Sequence, residues 1–175
     1  RRFYLNQVCP EATSWIAPFE WDARRNEALT LEPGDEITLG FDGSLSDDNT
    51  ALTACRVSDG AIFPLKVWGA PKGAKNWTVP REEVDAYVRN AFETYRVVGG
   101  YFDRAFWESY LDAWTVAYGR RMRVKASQKN PLEFDMRARK RDFAAACETF
   151  LDAVLNGDVT HNGDPVLRQH VLNAQ

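Results

Sequence analysis

Ile37-Thr38-Leu39-Gly40-Phe41-Asp42-Gly43-Ser44 is an apolar, β-prone run that breaks off on an aspartate and a glycine. The alternation of Ile37, Leu39 and Phe41 predicts a strand with one buried face. A buried strand ending in a carboxylate presents that group at the rim of its sheet, and a neighbouring glycine lets a ligand approach the backbone. Asp42 equally suits the opening of a turn.

Working outward, Thr50–Val57 and Ile62–Trp68 read as two more strands, joined to the first and to each other by polar turns. Three strands in series predict an antiparallel meander, and Pro64 puts the third at an edge or a bulge. After a loop from Gly69 to Thr78, Pro80 and the acids Glu82 and Glu83 suit a first helical turn. Val84, Tyr87, Val88, Ala91, Phe92 and Tyr95 then fall on one helical face. Val97–Phe102 is a fourth strand, ending at Asp103. A second helix carries Trp107, Tyr110, Leu111, Trp114 and Tyr118 and stops at Gly119. The pattern continues with a short strand over 121–125 and a third helix over 135–155 that buries Phe143, Cys147, Phe150, Leu151 and Val154; 159–173 shows no clear period. The order β-β-β-α-β-α-β-α predicts an α/β fold: a ribonuclease-H-like mixed sheet of three antiparallel strands followed by alternating helices and parallel strands, with helices on both faces. Residues 1–34 mix aromatics with turn residues and read as an extended lead-in; 35–175 form one domain of ordinary size.

Tyr101-Phe102-Asp103 repeats the arrangement of Phe41-Asp42. Where the first and fourth strands are neighbours, Asp42 and Asp103 face each other, and two such carboxylates repel unless a cation lies between them. All-oxygen ligands suit Mg2+ or Mn2+ rather than zinc. Asp103 also suits the N-cap of the following helix. Asp48, in Ser46-Asp47-Asp48-Asn49-Thr50, can fold back beside Asp42 as a further ligand or water-orienting group; it is equally good turn chemistry.

The net charge of −3 over 175 residues excludes an indiscriminately basic nucleic-acid binder, yet between Arg120 and Arg141 nine basic residues face two acidic ones. Arg121, Arg123, Lys125, Lys129, Arg137, Arg139, Lys140 and Arg141 are the candidate DNA-backbone contacts; a solvated helix face is the bland alternative. No apolar run approaches the length of a membrane span, so no membrane partner is expected. Cys9, Cys55 and Cys147 fit neither a disulfide framework nor a zinc site and point to a reducing compartment. Gly69–Lys75 lacks the Gly-Lys-Ser/Thr ending of a phosphate loop. His161 and His170 are not spaced as a helical zinc pair, and no serine or cysteine sits in a nucleophile motif. The chain opens on Arg1-Arg2 without a signal-peptide pattern and is expected to be a piece of a longer protein.

Arg2-Phe3-Tyr4-Leu5-Asn6-Gln7, Gly40-Phe41-Asp42-Gly43-Ser44 with Asp48-Asn49-Thr50-Ala51-Leu52, Tyr101-Phe102-Asp103, and His161-Asn162-Gly163-Asp164-Pro165-Val166-Leu167 through Asn173 together resemble the phage terminase large subunits, whose C-terminal domain is a ribonuclease-H-like nuclease. The resemblance implies a metal-dependent endonuclease cutting concatemeric double-stranded viral DNA during genome packaging, in the host cytoplasm. It implies two divalent ions, Mg2+ or Mn2+, held by Asp42 and Asp103 with Asp48 from the turn. Its implied partners are the ATPase domain of the same chain, from which residues 1–34 would lead, a portal protein and a small terminase subunit. The family's last aspartate would fall after Gln175, unless Asp164 substitutes. Two other readings compete: a DNA-binding or motor-docking module with an incomplete nuclease site, and an actin-like ATPase with Phe41-Asp42-Gly43-Ser44 as its phosphate loop. The absence of a second glycine-rich phosphate loop counts against the latter.

Overall fold

The computed structural model describes residues 14–174 apart from 47, 72 and 75. The stretch Arg2–Gln7 and Cys9 lie outside the described residues, as do Lys72 and Lys75 of the glycine-rich loop.

β1 (Glu36–Asp42), β2 (Thr50–Arg56) and β3 (Ala61–Trp68) form the expected antiparallel meander. Pro64 faces Thr53 just past a register shift between Leu52 and Thr53, so the missing amide falls at a bulge. β4 (Arg96–Asp103) lies parallel to β1 on its other side. Two dipeptide strands complete the sheet: β5 (Glu133–Phe134) beside β4 and β6 (Thr160–His161) beside β3, in the order β5-β4-β1-β2-β3-β6. Every strand except β2 runs the same way, so the C-terminal ends of β1, β4 and β5 share one rim. This is the mixed ribonuclease-H-like sheet that the element order predicts.

Among the described residues, five α-helices cover it. α1 (Pro18–Asp22) precedes the sheet; α2 (Arg81–Thr94) and α3 (Glu108–Tyr118) flank β4; α4 (Lys140–Asn156) and α5 (Pro165–Asn173) end the chain. α2 and α3 close the first face over Ile37, Leu39 and Phe41, with Val84, Val88, Phe92, Leu111 and Trp114 fully buried. The second face carries α1, α4 and α5 around Ile16, Trp21 and Val154.

Three expectations are corrected. No strand forms at 121–125: a 3₁₀ turn spans Gly119–Arg121, and the amides of Arg123 and Val124 both donate to the Val98 carbonyl. The fifth strand is Glu133–Phe134, too short for alternation to reveal. The third long helix therefore starts at Lys140, and of its expected core residues only Val154 is buried. Phe143, near its start, stays 43% exposed. Nor is the lead-in wholly extended: Glu20 accepts the Ala17 amide and closes the one-turn helix α1, too short to show a period. α1 packs as part of the body, with Trp21 stacked on His161 at 4.2 Å.

Candidate nuclease site

Phe41 and Phe102 are opposite neighbours in the parallel β1–β4 ladder. Both rings are buried, 5.6 Å apart, and Trp114 packs edge-on against each. Burying a phenyl ring contributes roughly 1.5–3 kcal/mol, which pins the register at this point. Side chains at matched positions of neighbouring strands lie on the same face. Asp42 and Asp103, each one residue further, are therefore side by side at the rim.

The turn after Asp42 is held from several sides. The Ser44 amide donates to Thr50 Oγ1 at 2.9 Å, and the Ser44 hydroxyl donates to the Asp48 carbonyl at 2.9 Å. Thr50 is fully buried, so these bonds tie the turn to the core. Trp107 Nε1 donates to the Ser44 carbonyl at 3.2 Å. A Cβ on Gly43 would run into the Trp107 indole, which is why only glycine fits beside Asp42. The network holds the backbone of the Asp48 turn, while the Asp48 carboxylate itself accepts the Asn49 amide at 2.7 Å; Asp48 lies close enough for its charge to act on Asp42.

The electrostatics agree with that proximity. Although Asp42 reaches solvent at the strand end, its carboxyl is pushed above the ordinary aspartate range, by the surrounding protein first, then by the charge of Asp103, then by that of Asp48. Asp103 does not cap α3: the N-cap position is Trp107, and the Asp103 carboxylate makes only a long 3.5 Å contact with the Ala105 amide. Among the described residues, no three Asp, Glu, His or Cys side chains close into a ready-made metal cage. Two adjacent carboxylates with a third nearby still fit a hard divalent cation, which takes several oxygens and fills the rest of its shell with water or phosphate.

Asp164 has another task. Its carboxylate accepts the Leu167 amide at 2.8 Å as the N-cap of α5. It shares a cleft with Asn49, Gly69, His170 and Asn173, behind the Asp48 turn. His161 lies deep in the second core, 1% exposed, with Nε2 against the Trp21 carbonyl at 2.9 Å and Nδ1 accepting the Gly163 amide at 3.1 Å. Only the neutral imidazole satisfies both contacts, and burial pulls its pKa down.

The structure splits the basic segment. Arg123 pairs with Glu36 at the start of β1, and Arg121 donates to the Phe92 carbonyl and lies over Tyr118. Both sit at the end of the sheet opposite the carboxylates, roughly 20 Å away along the strands. They do not join the rim. Lys125 and Lys129 are exposed on the intervening loop. Arg139 is partly engaged, donating to the Ala126 carbonyl at 2.6 Å and lying over Phe134. Arg137, Lys140 and Arg141 are exposed and come after β5, whose Phe134 pairs with Asp103 at the end of β4. Asp135 is a further acid near this edge that the sequence-derived site omits: it stands one residue past Phe134, the partner of Asp103, and its carboxylate is engaged locally, accepting the Arg137 and Ala138 amides.

With the geometry in place, similarities to known proteins can be set beside it. No protein-family model matches the chain. Over 186 aligned positions it is 47% identical to the Gene 13 protein of Mycobacterium phage L5, covering 100% of this chain and 31% of that protein. The Gene 13 protein of Mycobacterium phage D29 matches with the same identity and coverage. The chain thus spans about a third of the length of the curated relatives it matches. Among solved structures, the HK97 bacteriophage large terminase superposes with a TM-score of 0.66 at 21% identity, over 90% of this chain and 36% of that one. The large terminase nuclease of thermophilic phage G20c with bound zinc superposes with a TM-score of 0.54 at 14% identity, over 87% of this chain and 80% of that one. The chain therefore has the ribonuclease-H-like fold found in the large terminases of phages HK97 and G20c.

Proposed function

We propose that this chain is the nuclease domain of a phage terminase large subunit, a divalent-metal-dependent endonuclease that cuts concatemeric double-stranded viral DNA during packaging. The observation that carries the reading is the pair Asp42–Asp103, set side by side by the β1–β4 register, with Asp42 raised in pKa. The terminase fold and the phage relatives support it. Mg2+ or Mn2+ is the cation class the carboxylates suit, and two such ions would supply an activated water and neutralise charge on the reacting phosphate. Asp42 and Asp103 would hold the ions, with Asp48 as a further ligand from the turn. None of the three serves as nucleophile. Arg137, Lys140 and Arg141 would bind the DNA backbone next to them, fixing position without reading sequence. As parts of the same reading, the N-terminal side of the chain connects to an ATPase domain, the portal protein and small terminase subunit are partners, and the host cytoplasm is the site of action.

Nicking of supercoiled plasmid in Mn2+ tests the assignment. Asp42→Ala should abolish it while leaving the circular dichroism spectrum unchanged; undiminished cleavage refutes the metal role. That, among the described residues, no three metal-ligating side chains converge favours a second reading, a DNA-binding or motor-docking module. That reading predicts salt-sensitive DNA binding without cleavage at any Mn2+ concentration.

A further inference from the structure

Arg104-Ala105-Phe106-Trp107 places two aromatic residues in succession directly after Asp103. One enters the core: Trp107 is fully buried against Phe41, Tyr110 and Trp114. The other stays out: Phe106 is 50% exposed. Its backbone is also unusual, with a φ of +69°. That left-handed conformation costs an L-residue roughly 1–2 kcal/mol and is an outlier for a bulky side chain.

The conformation is imposed by the surroundings. Arg81 Nη2 donates to the Phe106 carbonyl at 2.8 Å, and its guanidinium lies over the rings of Trp107, at 5.2 Å, and Tyr110, at 6.0 Å. The Trp107 amide donates to the Arg104 carbonyl at 3.0 Å, and its indole reaches the Ser44 carbonyl in the Asp42 turn. The loop is thus tied to both carboxylate-bearing segments and to the start of α2. A glycine or asparagine would hold the same backbone more cheaply. What only phenylalanine supplies is an outward ring, rigidly based, three residues from Asp103 and so within about 10 Å of it along the chain. Strain maintained by its surroundings around an exposed side chain points to a use for that side chain.

Resting on the nuclease reading, we propose that Phe106 stacks on a nucleobase of the DNA strand held at the carboxylate rim. Bases within a duplex already stack on one another, so the ring finds a base face only where the strand is unpaired or frayed. Such stacking accepts any base, because every base has a π-face. The site should therefore prefer locally opened DNA over perfect duplex.

Two labelled duplexes, one with a short central bubble and one fully paired, test this in Mn2+ with the wild-type chain, Phe106→Asn and Phe106→Trp. Wild type should cleave the bubbled duplex roughly ten-fold faster, within the range expected of one base–aromatic stack. Phe106→Trp should keep that preference. Phe106→Asn should lose it, chiefly through KM, while melting no lower than wild type because asparagine tolerates the backbone. An active Phe106→Asn that retains the preference overturns the inference and leaves the nuclease reading standing. A Phe106→Asn that melts lower and loses activity on both duplexes equally shows a structural role and also overturns it. A wild-type chain that cleaves neither duplex overturns the nuclease reading, and this inference with it.

Discussion

Replacing Asp42 by asparagine keeps the shape of the rim and removes one negative charge. Parallel neighbours in a sheet lie about 4.8 Å apart, and the register sets Asp42 beside Asp103. Two unit charges at about 5 Å repel by roughly 0.8 kcal/mol at the dielectric of water and about 3 kcal/mol at the effective value near a protein surface. Asp42 reaches solvent, so screening favours the lower end, about 1 kcal/mol. Without metal, Asp42→Asn should therefore raise the melting temperature by roughly 2–4 °C. The sign depends on pH. Because the folded-state pKa of Asp42 is raised, the stability tied to its protonation is fully present below the unfolded value and is lost as pH rises through the folded one. The gain from Asp42→Asn should thus vanish in acid, where the carboxyl is already neutral. Mn2+ should reverse the order at neutral pH. At one hundred times its dissociation constant a ligand specific for the folded state adds about 2.7 kcal/mol, which asparagine in place of Asp42 would largely forfeit. Thermal melts in EDTA and across a Mn2+ series measure both effects. An Asp42→Asn protein that melts lower than wild type in EDTA, or that responds to Mn2+ as wild type does, would refute the reasoning.

Splitting of the basic segment predicts unequal effects on DNA binding. Lys140→Ala with Arg141→Ala should weaken binding uniformly across sequences and make the slope of log affinity against log salt shallower by about 2. Arg121→Ala with Arg123→Ala, at the far end of the sheet, should leave that slope nearly unchanged; fluorescence anisotropy over a salt series separates the two. For His161, burial lowers the folded-state pKa, so its contribution to stability is present above the unfolded value near 6.5 and is lost as pH falls through the folded one. His161→Ala should cost about 2–3 kcal/mol at pH 7, and His161→Gln should flatten the acid limb of the melting profile.

The first strand, the meander and α2 are legible in the sequence because each has enough residues to show its period. Ile37, Leu39 and Phe41 alternate as a strand buried on one face must, and Val84, Val88 and Phe92 repeat as a buried helical face must. β5 and β6 escape that logic, since two residues have no period; neighbouring strands define them. The same limit makes Asp135 and Arg137, just past β5, look helical. In Arg104–Trp107, the helical period already sets Trp107 with Tyr110, Leu111 and Trp114, but composition cannot say that Phe106 takes a positive φ, because a contact from Arg81, remote in sequence, holds it.

The site divides in the same way. The sequence by itself determined that two strands end in aspartate, because an apolar run stopping at a carboxylate is a local pattern. Only the tertiary structure decided that the two strands pair in parallel with Phe41 opposite Phe102, that Asp164 serves as a helix cap, and that Arg121 and Arg123 lie away from the rim. Those outcomes depend on long-range pairing, and charges close in sequence can end at opposite edges of a sheet when a strand's length lies between them.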